Sequence, residues 1–510
     1  MFMKKSLLFL FAALLITLFS TCSFLYPLNP WDDANVYMTI GNAMLAGKEL
    51  YVDIFDHKGP VLFFMHEAAA VLSRSSFVGI YLVEVVCCFF YLLYSLRTMR
   101  LFTSSPTTVP LTCLLGVITY SSDFFSYGDS VEEFSLPILA HCLYHMVRYA
   151  KHSSSRGGAG RWLPRPRQAF DMGLGLGLLF WMKFNLLFFY VGGIIALAII
   201  AWRRRQMEAL WRVILWVSAG VGAVTAIVLT YFAIHGTLDA LWESYFMVNI
   251  FHYHGVGANG EPDFWWFRYV KLTIWALLML PIFFLRVNRE VKLLLFGAYG
   301  VLVFSFATLT VQFYYFMTLF VFFPLLVTLK GPKVLKALTD PKAMAVIVIA
   351  AAATNWNLVT RLNGTFPHSV LEMAEIINAN ESDDSEVLTF SSYDTGIYQH
   401  TRHLPPNKNY FLSSILDPAI KAEQAEMVAS GKIKYLVREI GAVNTCHEYY
   451  DAPIPAGYQL IYDKEELFRY RFIWTPLNYL WNLTWPRFLL RHVMEPVTAN
   501  QRMQVYERQP

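Results

Sequence analysis

Apolar runs long enough to cross a bilayer recur along this chain from Ser6 to Pro341, and no other feature narrows its fold as far. Crossing the hydrocarbon core takes about 20 mostly apolar residues. A backbone in that environment must satisfy its own hydrogen bonds, so runs of this kind form α-helices. Hydrophobic residues make up 56% of the 510 positions and charged residues only 15%, which excludes an ordinary soluble enzyme. The spans are read near 6–26, 77–96, 108–122, 131–149, 169–183, 185–202, 211–234, 269–286, 292–311, 313–329 and 342–360, eleven in all. The first is expected to be a retained span and not a cleaved signal segment, because it is long enough to cross.

Lysine and arginine in short loops stay on the cytoplasmic side. With Lys4 and Lys5 inside, the inner loops carry Arg97 and Arg100, Arg148 through Arg167, Arg203 to Arg205, Arg286, Arg289 and Lys292, then Lys330, Lys333 and Lys336. The outer segments hold few cations, chiefly Lys48, Lys58, Arg74, Lys183, Arg268 and Lys271. The formal charge of +4 is therefore a topology signal and not a nucleic-acid footprint. Five of the six cysteines fall in apolar spans and only Cys446 in a polar region, so neither a disulfide framework nor a cysteine metal set is present. Gly173, Gly175 and Gly177 alternate inside one span, where small residues let helices approach closely.

Composition changes near residue 361, dividing the chain into a membrane domain, 1–361, and an extracytoplasmic α/β domain, 362–510. In the latter, Glu386 to Phe390 and Ile433 to Val437 read as strands, and Ala419 to Ser430 as a helix stopped by Gly431. The aromatic stretch from Phe472 to Leu490 suits either a membrane interface or a packed face.

The outer segment between the first two spans holds the densest polar chemistry. Asp32 and Asp33 precede a periodic stretch that ends at Gly47, predicting an outer-loop helix near 33–47 in which one acid is free to cap and the other is spare. A second helix is predicted over 60–73, because Pro60 suits the first helical position. Lys58 then stands just before a helix N-terminus, where backbone N–H groups already favour an anion, a setting for phosphate. On residue type alone, Lys58 reads equally as an interfacial lysine.

A second acidic cluster, Asp129-Ser130-Val131-Glu132-Glu133, opens the fourth span at its outer end. Ser130 and Glu133 have capping-box spacing, whereas Glu132 has no such role and needs a partner or a purpose. Lys183 and Asn185, with Arg268 and Lys271, are candidates to complete a polar cavity. His252 and His254, with Glu261 and Asp263 nearby, are a weak metal signal.

Taken in order, Asp32-Asp33-Ala34-Asn35-Val36-Tyr37, Leu50-Tyr51-Val52-Asp53 and Asp56-His57-Lys58-Gly59-Pro60-Val61-Leu62 resemble the first outer loop of GT-C glycosyltransferases. The likeness is to the branch of protein O-mannosyltransferases and aminoarabinose transferases. Glu132 through Pro137, and Gly175 through Asn185, resemble later landmarks of bacterial members. The resemblance covers residues 1 to about 360 and implies a GT-C-like fold with a polyprenyl-phosphate-linked sugar as donor. It also implies inverting transfer on the outer face of the cell membrane. By position, Asp33 matches the catalytic base and Lys58 the residue that holds donor phosphate. Ala34 stands where the family variant has Glu, and Gly59-Pro60 where others have Pro-Pro.

The chemistry agrees with those assignments. A sugar hydroxyl needs a carboxylate to take its proton, the role given to Asp33, while Lys58 offsets charge developing on the leaving phosphate. Asp32 and Glu132 join Asp33 as candidate catalytic groups, and His57, Lys183 and Arg268 join Lys58 as candidate phosphate ligands. Asp56 and Glu133 are candidates for acceptor or metal contact, and Glu132 with Asp32 has the hard oxygens a divalent metal cation prefers. The expected partners are the lipid-linked donor, membrane lipids and a glycan, lipid or protein acceptor, with no nucleic acid. The rival readings are a transporter or flippase of lipid-linked sugars, and a non-catalytic partner in glycan assembly. Paired halves and interrupted midplane helices, the marks of a transporter, are not evident in the sequence.

Overall fold

The computed structural model describes residues 5–153, 163–252, 279–308, 313–329, 337–379, 386–401, 403–412, 418–441, 453–471 and 497–509. It is mainly helical, with one sheet near the C-terminus. Contacts divide the chain into two compact units. The first comprises Met1–Ser20, Leu82–Thr230 and Asp263–Asn355, and the second Thr21–Tyr81, Tyr231–Pro262 and Trp356–Pro510. The change of composition near 361 thus falls close to one unit boundary, and the second unit also gathers the outer loop after the first apolar run.

Nine helices lead the chain, α1 (Lys5–Phe19), α2 (Asp32–Leu45), α3 (Pro60–Ala70), α4 (Val78–Arg100), α5 (Thr108–Ser121), α6 (Val131–His152), α7 (Pro166–Phe180), α8 (Phe188–Arg203) and α9 (Met207–His235). Among the described residues, α4, α9 and the stretch Phe184–Arg203 are long and apolar enough to cross a membrane singly. Pro341–Thr354 with Trp356–Asn363 makes a fourth if the two are one broken span, and α1, α5 and Tyr314–Thr328 are shorter apolar helices. This is a polytopic membrane protein. The expected span near 313–329 runs as 3₁₀ helix over Phe313–Thr328, with Pro324 inside it, where a regular α-helix was expected. The span near 185–202 begins with a 3₁₀ turn, Phe184–Leu187, before α8. Much of the span near 269–286, and the stretch from Phe472 to Leu490, lie outside the described residues.

The glycine reading of α7 holds. A Cβ on Gly173 would stand 2.1 Å from the Val217 carbonyl oxygen of α9, and one on Gly220 of α9 would stand 2.4 Å from the Phe170 carbonyl oxygen. One on Gly175 would meet the Ile138 side chain of α6 at 2.7 Å. The helices touch through backbone, which lipid alone cannot drive but close van der Waals packing can. The same device joins α8 to Arg289–Thr308, where Gly192 and Gly297 face each other's carbonyls.

In the second unit, α2 packs on α3 with Gly41 against the His66 backbone, a close approach that no side chain would permit. The sheet has strands β1 (Glu386–Thr389), β2 (Ile433–Gly441), β3 (Tyr458–Arg471) and β4 (Val497–Arg508) in the order β1-β2-β4-β3. β1 and β2 are parallel, with Leu388 opposite Leu436, and are linked by a crossover through the helix Pro418–Ala429. That is the α/β unit expected from sequence. β4 pairs antiparallel with both β2 and β3, and it is β3 and β4 that the sequence reading missed.

Alanine at Gly173 is expected to lower stability by about 1–3 kcal/mol, because an added carbon there must push backbone aside. Alanine at Gly222 of α9, with nothing within 4 Å of the added carbon, is expected to be neutral or stabilising. Thermal unfolding of both variants in detergent tests the contrast, and equal behaviour would refute it.

Candidate functional site

Trp31 is the residue that caps α2, in extended conformation and without a side-chain hydrogen bond. Asp32 and Asp33 therefore occupy the first turn, where the helix dipole favours negative charge, and neither is the capping residue the sequence allowed for. The two acids have different surroundings. Asp32 lines a narrow pocket with Leu28, Pro30, His368, Thr395, Glu439 and Glu466. Burial raises its carboxyl well above the usual range, and Glu439, Asp33 and Asp394 add to the effect. The charge of Asp33 is the smallest of the influences on His57, raising it slightly, so the two motifs named from sequence lie within electrostatic reach of one another.

Asp56, His57 and Lys58 are three consecutive buried residues, only 4%, 6% and 7% exposed. His57 Nδ1 lies 2.9 Å from Asp56 Oδ1, and Lys58 Nζ lies 3.2 Å from His57 Nε2 and 3.9 Å from Asp56 Oδ2. Burial alone would push the Asp56 carboxyl up, but Lys58 and His57 together hold it below the ordinary carboxylate range. Burial and the Lys58 ammonium lower His57, against the opposing pull of Asp56. The backbone here is clamped too. Tyr51 Oη donates to the Lys58 carbonyl at 2.5 Å, and Asn249 Nδ2 donates to the His57 carbonyl at 2.6 Å. Gly59 caps α3 and Pro60 takes its first position, as the sequence predicted, and the helix stops at Ala70, short of Ser73.

The inner face of α2 is held from the far end of the chain. Gln399 Nε2 donates to Asn35 Oδ1 at 3.2 Å, and Gly396, with φ +84°, closes a turn in which Asp394 accepts from its backbone N–H. Tyr410 Oη donates to the other Asp394 oxygen at 3.1 Å. Asp394, Gly396, Gln399 and Tyr410 were not flagged from sequence, since single polar residues in a soluble domain carry no spacing signal.

In the first unit, Ser130 caps α6 and accepts from the Glu133 N–H at 3.0 Å, while the Glu133 carboxylate accepts from the Asp129 N–H at 3.2 Å. Glu133 thus has the structural occupation foreseen for it, one residue displaced from a regular capping box. Glu84 of α4 shares the Asp129 N–H at 2.8 Å and accepts from Ser20 Oγ at 2.7 Å. The sequence reading passed over Glu84, although an acid inside an apolar span was itself the signal. Glu132 finds its partner in Lys183, with Nζ 2.7 Å from Oε1, and the same ammonium lies 3.9 Å from the centre of the Tyr315 ring. Arg268, Lys271, His254, Glu261 and Asp263 lie outside the described residues, as does the side chain of His252. Among the described residues no group of three His, Cys, Asp or Glu side chains is arranged to hold a metal ion.

No protein-family model and no curated protein matches the chain. Solved structures do. ArnT from Cupriavidus metallidurans bound to undecaprenyl phosphate aligns with a TM-score of 0.54 at 11% identity, over 86% of this chain and 94% of that one. Its apo state aligns with a TM-score of 0.53 at 12% identity, over 85% and 92%. The chain has the ArnT-like GT-C fold. The likeness to ArnT covers 86% of the chain, more than the sequence resemblance, which stopped near residue 360.

Two outcomes are expected from this geometry. Replacing Lys183 by Met strands the Glu132 carboxylate, which is 1% exposed, and is expected to cost about 3–5 kcal/mol in detergent unfolding. The double variant Glu132→Gln/Lys183→Met should recover much of that loss, and additive losses would show the pair to be uncoupled. Burial and Glu466 push Glu439 up to about 7 from its ordinary 4.5. The folded protein then keeps a proton that the unfolded chain has released, so stability is full below about 4.5 and falls as pH rises through about 7. Glu439→Gln should flatten that part of a thermal-stability profile, and an unchanged profile would contradict the assignment.

Proposed function

We propose that the protein is an inverting glycosyltransferase. In this reading it moves a sugar from a polyprenyl-phosphate-linked donor to a hydroxyl of a glycan, lipid or protein on the outer face of the cell membrane. The observation that carries the reading is the buried Asp56-His57-Lys58 run just ahead of α3, within electrostatic reach of Asp33, on an ArnT-like fold. A solved structure of that fold, ArnT from Cupriavidus metallidurans, is bound to undecaprenyl phosphate, which supports a polyprenyl phosphate as carrier here.

Asp33 takes the proton from the acceptor hydroxyl as its oxygen bonds to the anomeric carbon, on the face opposite the phosphate. The bond from that carbon to the phosphate oxygen breaks, and its electron pair leaves with the phosphate. Lys58 and the free N–H groups opening α3 stabilise this charge, which is greater in the transition state than in the donor. A low-exposure site strengthens both interactions, because little water competes. The exposed apolar helices provide a surface suited to a long prenyl chain.

Asp33→Asn in reconstituted vesicles is expected to leave the unfolding temperature unchanged and to reduce release of polyprenyl phosphate from labelled donor by about 10²–10⁴-fold. Turnover at the wild-type rate would remove Asp33 as the base. A wild-type protein that carries labelled donor across the bilayer intact would instead support the transporter reading.

A further inference from the structure

We infer that His57 is a positioning residue that aims the Lys58 ammonium and does not itself contact the donor phosphate. The inference deepens the proposed function, since it rests on Lys58 being the cation that meets phosphate.

The charge that faces each ring nitrogen decides its role. An imidazole has two ring nitrogens, and each faces a charged group, Nδ1 at 2.9 Å from Asp56 Oδ1 and Nε2 at 3.2 Å from Lys58 Nζ. An ionised carboxylate only accepts and an ammonium only donates. Nδ1 therefore carries the proton and Nε2 is bare, which makes His57 the neutral Nδ1–H tautomer. Asp56 selects the tautomer, and the tautomer supplies the acceptor that Lys58 points to. No N–H remains on the ring for a phosphate oxygen, so the role of phosphate ligand expected from sequence gives way to that of an aiming group.

The surroundings support a device for holding one direction. A lysine is a flexible four-carbon stem with a compact charge, so its aim has to be imposed. Here the stem is fixed at both ends. Tyr51 holds the Lys58 carbonyl at 2.5 Å, and His57 holds the ammonium, which also lies 5.8 Å from the centre of the Tyr37 ring. The ring that does the aiming is itself anchored, since Asn249 holds the His57 carbonyl at 2.6 Å and is tied to the Tyr245 carbonyl at 2.9 Å.

The test measures binding of undecaprenyl phosphate to the full-length protein in nanodiscs for His57→Leu, His57→Gln, Lys58→Ala and the double variant His57→Leu/Lys58→Ala. His57→Leu should weaken binding about tenfold, whereas His57→Gln should stay within about threefold of wild type. A glutamine amide can donate to Asp56 and accept from Lys58, which rescues the aim without an imidazole. In the Lys58→Ala background the leucine substitution should change binding less than about twofold, since nothing is left to aim. A tenfold loss in both backgrounds would mean that His57 meets the phosphate directly and would overturn the inference. So would a His57→Leu protein that binds as wild type does. If His57→Leu fails to fold, His57→Gln decides alone, with retained binding in support and lost binding against. Absence of binding by the wild-type protein would overturn the functional reading, and the aiming role with it.

Discussion

Charge withdrawn from water must be shared with a partner, and that requirement organises both units of this protein. Desolvation of a lone ion costs several kcal/mol even after relaxation, so a buried acid or lysine persists only where another group answers it. Asp56, His57 and Lys58 answer one another along three consecutive residues. Glu132 is answered by Lys183, whose ammonium also rests on the Tyr315 ring. Glu84 and Glu133 converge on the Asp129 N–H, with Ser20 as a further donor to Glu84. In each case the pairing ties together segments far apart in the sequence or locks a short one that would otherwise be mobile.

The proposed reaction at a membrane surface would make use of this economy. Its donor would arrive in the bilayer and its acceptor from water, so the reacting groups would have to sit where both media end. The helical scaffold supplies apolar surface, packed through glycines that let backbones touch. In that proposal the short helices α2 and α3 carry the chemistry, with the acids in the first turn of one and the lysine just ahead of the other. Helix ends are well suited to the task, because their unpaired N–H groups are already polarised toward negative charge.

Much of this was legible in the residues. Pro60 announced α3, Ser130 announced α6, the alternating glycines announced a close helix crossing, and Glu132 announced that a partner would be found. The crossover β1, helix, β2 followed from β-branched runs on either side of a helix stopped by Gly431. Other features were silent for identifiable reasons. β3 carries Asp463, Lys464, Glu465 and Glu466, a run that reads as solvated loop until cross-element ion pairs with Arg502 and Glu372 neutralise it. Trp31 took the cap of α2 because the acids lie one and two places further along, a difference below the precision of periodicity. Asp394, Gln399 and Tyr410 gave no local signal, since each acquires its function only by meeting a residue elsewhere in the chain.

By itself the sequence determined that this chain crosses a membrane, that most of its charged residues gather between its apolar runs, and that a carboxylate and a lysine stand near one another in the loop after the first of those runs. Those properties follow from local composition, because hydropathy and helix-end chemistry act over a few residues at a time. Tertiary structure alone decided which acid faces which neighbour. Asp32 turns into a pocket with Glu439 while Asp33 reaches the field of His57, although the two are adjacent in the chain. The physical reason is that the strength of a charge depends on burial and on partners brought from afar, and neither is a property of the residue that bears it.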